Sequence, residues 1–287
     1  MSDRKMSDAP HPASMARGAF FVSDRTGITA ETLGHSLLSQ FDTIRFEQVT
    51  MPFVDTVEKA RRAVEQINEK GRCTGLEPLV FSTLIDPSVR HVVASSQGIF
   101  FDFFDTFIDT LEKELGVKSS HTVGRSHGVV DSARYNVRMD AVNFALGTDD
   151  GVCTQGYGRA DVIIVGVSRS GKTPACLYLA MQYGIHCANY PLTEEELRDL
   201  RLPAVLNAHQ ERLFGLTIAP DRLHEIRSKR RPGSRYASLR QCRREIRQAE
   251  ALYRQLGIRF LNTTVMSVEE MAASILHAMG LPRRMLP

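Results

Sequence analysis

The chain has 287 residues, 43% of them apolar and 24% charged, and its 36 Lys or Arg against 33 Asp or Glu leave a net charge of +3. This composition excludes a collagen-like or wholly disordered chain, and the charge excess is too small to point to nucleic acid. The length allows one large domain or two ordinary ones, and no run approaches the roughly 18 apolar residues that would span a membrane.

Residues 1–17 are polar, with Pro10, Pro12 and scattered charge, and lack the apolar core of a signal peptide. A disordered tail is expected there. Order begins at AFFVSD (19–24), read as a strand. The helix GITAETLGHSLLSQF follows, with Leu33, Leu37, Leu38 and Phe41 as its apolar positions. RFEQVTMPF reads as a strand, VDTVEKARRAVEQINEKG as a helix closed by Gly71, and PLVFSTLID as a strand. PSVRHVVASSQG is a short helix, IFFDFF a strand, and DTFIDTLEKELG a helix ending at Gly116. Strands alternating with helices predict a parallel α/β unit over 18–117.

Residues 118–150 carry few strand signals and read as a connector. Its second half is helical, with Tyr135, Met139, Val142 and Leu146 along one face. Residues 151–287 form the second α/β domain. It opens on DVIIVGV, the most apolar strand of the chain, and continues with strands at GIHCANYPL, LFGLTIA and IRFLNTT. SLRQCRREIRQAEALYRQLG is a strong helix, and SVEEMAASILHAMG is a last one with Ser267 and Glu270 spaced as a capping box. The five cysteines, Cys73, Cys153, Cys176, Cys187 and Cys242, are odd in number and contain no CxxC pair. That argues against a disulfide framework or a zinc site and for a reducing cytoplasm.

Gly166-Val167-Ser168-Arg169-Ser170-Gly171-Lys172-Thr173 fits G-x-x-x-x-G-K-[ST], with an apolar strand before it and a helix after it. The glycines let the backbone curl so that N–H groups point inward, and the helix N-terminus adds partial positive charge. Lys172 brings a full charge to phosphate, the Thr173 hydroxyl is a ligand for Mg²⁺, and Pro174 suits a first helical turn. Such a loop predicts a P-loop kinase-like α/β domain that binds nucleotide or polyphosphate. It leaves the reaction open, because hydrolases, small-molecule kinases and protein kinases share it.

No apolar strand ending in Asp follows the loop. Asp221 fits a metal ligand or a helix N-cap, and Asp149-Asp150-Gly151 reads as a polar turn. His121 and His127 sit in a polar stretch where a surface or capping role serves as well as a catalytic one. Residues 221–259 hold 12 Lys or Arg and 4 Asp or Glu. With Arg227, Lys229, Arg230 and Arg231 before Pro232-Gly233, this segment fits an anion-facing lid, a solvated helix face or a nucleic-acid surface. The scarcity of aromatics apart from Tyr236 weakens the last.

FFVSDRTGITAETLG, HGVVDSARYNVRMDAVNFALGTDDG, DVIIVGVSRSGKTPACLYLA, YASLRQCRREIRQAEALYRQLGI and LNTTVMSVEEMAASI span about residues 20–275. In these stretches the chain resembles the bacterial phosphoenolpyruvate synthase regulatory proteins, relatives of the pyruvate phosphate dikinase regulatory proteins. SRSGKTP is similar to the branch that acts on the synthase. The resemblance implies a bifunctional serine/threonine kinase and phosphorylase. ADP would phosphorylate and inactivate a target threonine, and inorganic phosphate would remove the group, releasing pyrophosphate. It implies phosphoenolpyruvate synthase as protein substrate, residues 166–173 as the ADP and phosphate binders, and Lys172 as catalytic. Asp131 and Asp140 lie in a matching block and are candidates for the base. Pyruvate phosphate dikinase as target, a small-molecule kinase or NTPase, and a nucleotide-gated binding module are the alternatives. A homodimer stays open, and neither a membrane nor a nucleic-acid partner is expected.

Overall fold

The structure is a computed structural model that describes residues 16–120 and 132–282. The chain divides into two compact units, residues 1–128 and 129–287. Most of the expected tail, and Asp131, His121 and His127, lie outside the described residues.

The first unit alternates strand and helix in the order β1 (Arg17–Val22), α1 (Ile28–Leu38), β2 (Phe46–Met51) and α2 (Val57–Thr74). The order continues with β3 (Leu79–Ser82), α3 (Pro87–Ala94), β4 (Ile99–Asp102) and α4 (Asp105–Leu115). The four strands form a parallel sheet in the order β2-β1-β3-β4. β1 is buried on both faces, as a central parallel strand must be. Phe20 and Val22 join Ala60, Ala63 and Ile67 of α2 and Val89 and Val93 of α3. Ala19 and Phe21 pack with Ala30 and Leu38 of α1.

Two expectations fail here for physical reasons. α1 buries Ala30, Gly34 and Leu38, while Leu33, Leu37 and Phe41 are exposed. A Cβ at Gly34 would collide with the Phe21 ring, so the helix approaches the sheet through its small residues and turns its leucines outward. α2 does not stop at Gly71. It runs to Thr74 and is capped by Gly75 in the left-handed region, φ 66°.

The second unit comprises α5 (Ser132–Gly147), β5 (Val162–Gly166), α6 (Lys172–Tyr183), β6 (Cys187–Pro191) and α7 (Glu194–Asp199). β7 (Leu213–Thr217), α8 (Pro220–Arg230), α9 (Leu239–Leu256), β8 (Phe260–Asn262) and α10 (Val268–Met279) complete it. Its sheet is again four-stranded and parallel, in the order β6-β5-β7-β8. The fold is therefore α/β, with two separate sheets of the same winding: first strand inside, second to one side, third and fourth to the other. Residues of β5 alternate between two apolar layers. Ile163 and Val165 meet Leu252 and Tyr253 of α9. Val162 and Ile164 meet Ala175 and Leu179 of α6 and Ile275 of α10. Ser267 and Glu270 form the capping box at the start of α10.

α5 falls in the stretch read as a connector, yet it packs on α6 within the second unit. Its buried residues are Ala141, Phe144 and Ala145, while Tyr135 and Leu146 are exposed. Ala141 and Ala145, one turn apart, allow the close approach to α6 that the larger residues of the expected face would prevent.

Candidate active site

β5 has β6 on one side and β7 on the other, so the sequence of connections reverses at its C-terminal end. That edge is where open parallel sheets leave a crevice for ligands. The loop leading into α6 starts there, and its two glycines are needed for different reasons. Gly171 has φ 98°, a conformation that side chains disfavour. Gly166 needs space instead: a Cβ would lie 2.7 Å from Ser170 Oγ and 2.9 Å from the Leu216 carbonyl oxygen. Arg169 is also left-handed at φ 75°, which bends the chain into a concave run of amides. Among the described residues no acceptor takes the N–H groups of Ser168, Arg169, Gly171, Lys172 and Thr173, whereas Ser170 N–H donates to the Val167 carbonyl at 3.3 Å.

Lys172 is 4% exposed, and its Nζ donates to the Val167 carbonyl at 3.2 Å. Burial pushes its pKa down to about 8, against the attraction of Asp150, Cys176 and Asp149. An ammonium so placed gains more from an anion than a solvated one would.

The next side chain, Thr173, donates its hydroxyl to Asp149 Oδ1 at 2.7 Å. Asn189 of β6 donates to the same oxygen at 2.5 Å, and its own Oδ1 accepts from the Asp150 N–H at 3.0 Å. Asp150 holds φ 49°. The doublet read as a polar turn is thus built into the site. One signal was present: two acids directly after a helix C-terminus oppose the helix dipole, an arrangement that needs another reason to exist. Asn189, fully buried inside an apolar strand, was a second such signal.

A cleft of about 730 Å³ opens over the loop, lined also by Asp149, Asp150, Arg230, Arg231 and Tyr236. The basic segment therefore contributes to the site, but only in part. Arg227 is 1% exposed and points inward. It donates to Glu245 at 2.7 Å and to the Ser168 carbonyl at 3.0 Å, and it lies 4.1 Å from the centre of the Tyr236 ring. The Tyr236 and Ser168 hydroxyls stand 2.9 Å apart. Arg227 thus fastens the loop to α8 and α9.

Asp140 stands elsewhere. It is exposed and pairs with His186 Nε2 at 2.8 Å and Arg159 at 3.0 Å. His186 directly precedes β6, so Asp140 lies at the N-terminal end of the parallel strands, opposite the loop that follows β5. The hydrogen bond from His186, aided by the Arg159 charge, holds its carboxyl below the usual range. Asp221 lies in the first turn of α8, which Ala219 caps, and faces Arg243 at 3.6 Å; it does not line the cleft.

A lysine-bearing amide loop at a sheet's switch point, beside a carboxylate–threonine pair, is the framework of a phosphoryl-transfer enzyme. The chain belongs to the kinase/pyrophosphorylase family, whose model matches residues 19–276. It is 58% identical over 269 residues to a protein of Alkalilimnicola ehrlichii, covering 94% of this chain and 98% of that one. It is also 58% identical to one of Halorhodospira halophila, with 93% and 98% coverage, and 53% identical to one of Pseudomonas aeruginosa, with 94% and 98%. All three carry the name "Putative phosphoenolpyruvate synthase regulatory protein". Among the described residues no helix is long and apolar enough to cross a membrane.

Proposed function

We propose that the chain is a bifunctional regulator of phosphoenolpyruvate synthase. In one direction it transfers the β-phosphoryl group of ADP to a threonine hydroxyl of the synthase, leaving AMP. In the other it moves that group from phosphothreonine to inorganic phosphate, forming pyrophosphate and restoring the hydroxyl. The observation that carries this reading is the deep anion position where Lys172 meets unsatisfied loop amides beside the Thr173–Asp149 pair. Both reactions set a transferring phosphoryl group next to a second phosphate, and both need one array of donors there.

The residues fit these ligands. The backbone amides of Ser168, Arg169, Gly171, Lys172 and Thr173 and the Lys172 ammonium receive phosphate oxygens, and Arg230 and Arg231 line the same cleft. Thr173 Oγ1 and Asp149 Oδ1 are a hard oxygen pair suited to Mg²⁺. Among the described residues no group of three or more His, Cys, Asp or Glu could hold a metal alone. Bound there, Mg²⁺ would neutralise charge on the phosphates. Asp150, exposed and lining the cleft, is the residue we assign to take the proton of the acceptor hydroxyl, a role supported by its exposure beside the loop.

The test is incubation of the purified protein with ADP, Mg²⁺ and phosphoenolpyruvate synthase, followed by mass spectrometry. Phosphothreonine on the synthase with stoichiometric AMP is expected. Turnover of ADP without protein phosphorylation would favour a small-molecule kinase or NTPase, and no turnover a binding module.

A further inference from the structure

Arg240, Arg243, Arg244 and Arg247 occupy positions i, i+3, i+4 and i+7 of α9, and all four are exposed. They form one stripe about 10 Å long on the face opposite Ile246, Ala249 and Leu252, which are buried in the core. Like charges at these spacings oppose helix formation, so the stripe does not serve the helix that carries it. Acidic neighbours offset it only partly. Glu194 accepts from Arg244 at 2.8 Å but is shared with Arg235, and Asp221 stands 3.6 Å from Arg243. Arg240 and Arg247 have no acidic partner among the described residues.

A groove of about 570 Å³ runs along this stripe, lined by the four arginines with Leu239 and Gln248. Gln248 has its side-chain Oε1 shut from solvent and without a hydrogen-bond donor. That oxygen faces away from the groove's solvent, so the chemistry the groove offers a partner is the positive charge of the four arginines. A second groove, of about 430 Å³, adjoins the phosphate loop and is lined by Glu194, the partner of Arg244. Gln241 and Glu245 of α9 line it, and it shares Ser168 and Tyr236 with the loop cleft.

We propose that the arginine stripe of α9 docks an acidic surface segment of the protein substrate and delivers its acceptor residue to the phosphate loop. The inference rests on the reading of the chain as a protein kinase. The stripe lies outside the loop cleft, so it governs protein recognition and leaves nucleotide binding alone. Carboxylates of the partner would pair with the guanidinium groups. The scarcity of exposed aromatics near the stripe argues against a base-stacking nucleic-acid surface.

The test is an R240E/R243E/R247E variant, which leaves the Arg244–Glu194 pair intact, beside an R240K/R243K/R247K control. Three readouts are compared with wild type: ADP affinity by calorimetry, KM for phosphoenolpyruvate synthase, and anisotropy of a fluorescein-labelled ten-residue poly-glutamate probe at 50 and 300 mM salt. The charge-reversed variant should raise the KM about 10-fold or more and lose the probe, with ADP affinity unchanged. Wild type should bind the probe only at low salt, and the lysine variant should resemble wild type. Three results overturn the proposal: an unchanged KM, an ADP affinity that falls in parallel, or no probe binding by wild type at low salt. A changed oligomeric mass of the variant by light scattering, or tight binding of a single-stranded RNA by wild type alone, would reassign the face to a second copy or to nucleic acid and overturn it too. If wild type does not phosphorylate the synthase, the kinase reading fails, while the probe still decides whether the stripe binds acidic chain.

Discussion

The buried lysine makes nucleotide binding a proton-linked event. With a pKa of about 8, Lys172 is about nine-tenths charged at pH 7 and about one-quarter charged at pH 8.5. Phosphate oxygens against Nζ favour the charged form, so binding at pH 8.5 should take up about three-quarters of a proton. Apparent ADP affinity should fall roughly tenfold between pH 7 and pH 9 as the ammonium is lost. The unliganded protein should respond in the opposite sense. The folded-state pKa lies below the ordinary 10.5, so between about pH 8 and 10.5 the unfolded chain binds more protons. This one group therefore makes stability rise with pH across that window, by about 3 kcal/mol in all. Calorimetry at pH 8.5 in two buffers of different ionisation enthalpy counts the protons directly. Lys172→Met should bind ADP more weakly and with no uptake. Uptake below about 0.2 proton in the wild type, with affinity flat from pH 7 to 9, would refute the reasoning, because the ammonium would then not be the group that meets phosphate.

Gly166→Ala should abolish ADP binding and cost about 1–3 kcal/mol in urea unfolding, since the new methyl meets the Leu216 carbonyl and Ser170 Oγ. Arg227→Met should destabilise the protein by about 3–5 kcal/mol, because it leaves Glu245 buried without its partner. Adding Glu245→Leu should recover much of that in the same unfolding assay. An R230E/R231E variant should lose ADP affinity at least tenfold by calorimetry, as charges facing the phosphates are reversed; unchanged affinity would mean that these arginines are only a solvated rim.

The strand–loop–helix at 162–183 was legible because three signals coincide: a strand apolar on both faces, paired glycines and a lysine at the helix start. The remaining strands were legible as short apolar runs alternating with helical segments, although β2 and β4 leave residues such as Glu47, Gln48, Ile99 and Phe101 exposed. Helix faces were harder to read. In α1 and α5 the contact is made by Gly34, Ala141 and Ala145, residues too small to register as apolar anchors, while larger neighbours face outward. The acidic half of the site was legible only as unexplained signals, because Asp149 and Asn189 are far apart in sequence and meet only where the turn after α5 packs on β6. Asp140 illustrates the reverse error. A shared motif block carried it into consideration, yet α5 places it against His186 at the N-terminal end of β6, away from the loop.

The most direct test of the single-loop account is a paired assay on Lys172→Ala. One arm follows phosphothreonine gained by phosphoenolpyruvate synthase with ADP, and the other follows pyrophosphate released from the phosphorylated synthase with inorganic phosphate. Removing one preorganised charge should slow both reactions together, by about 10²–10³, with circular dichroism unchanged. Loss of one activity with the other near wild type would contradict the account and assign the two reactions to separate sites.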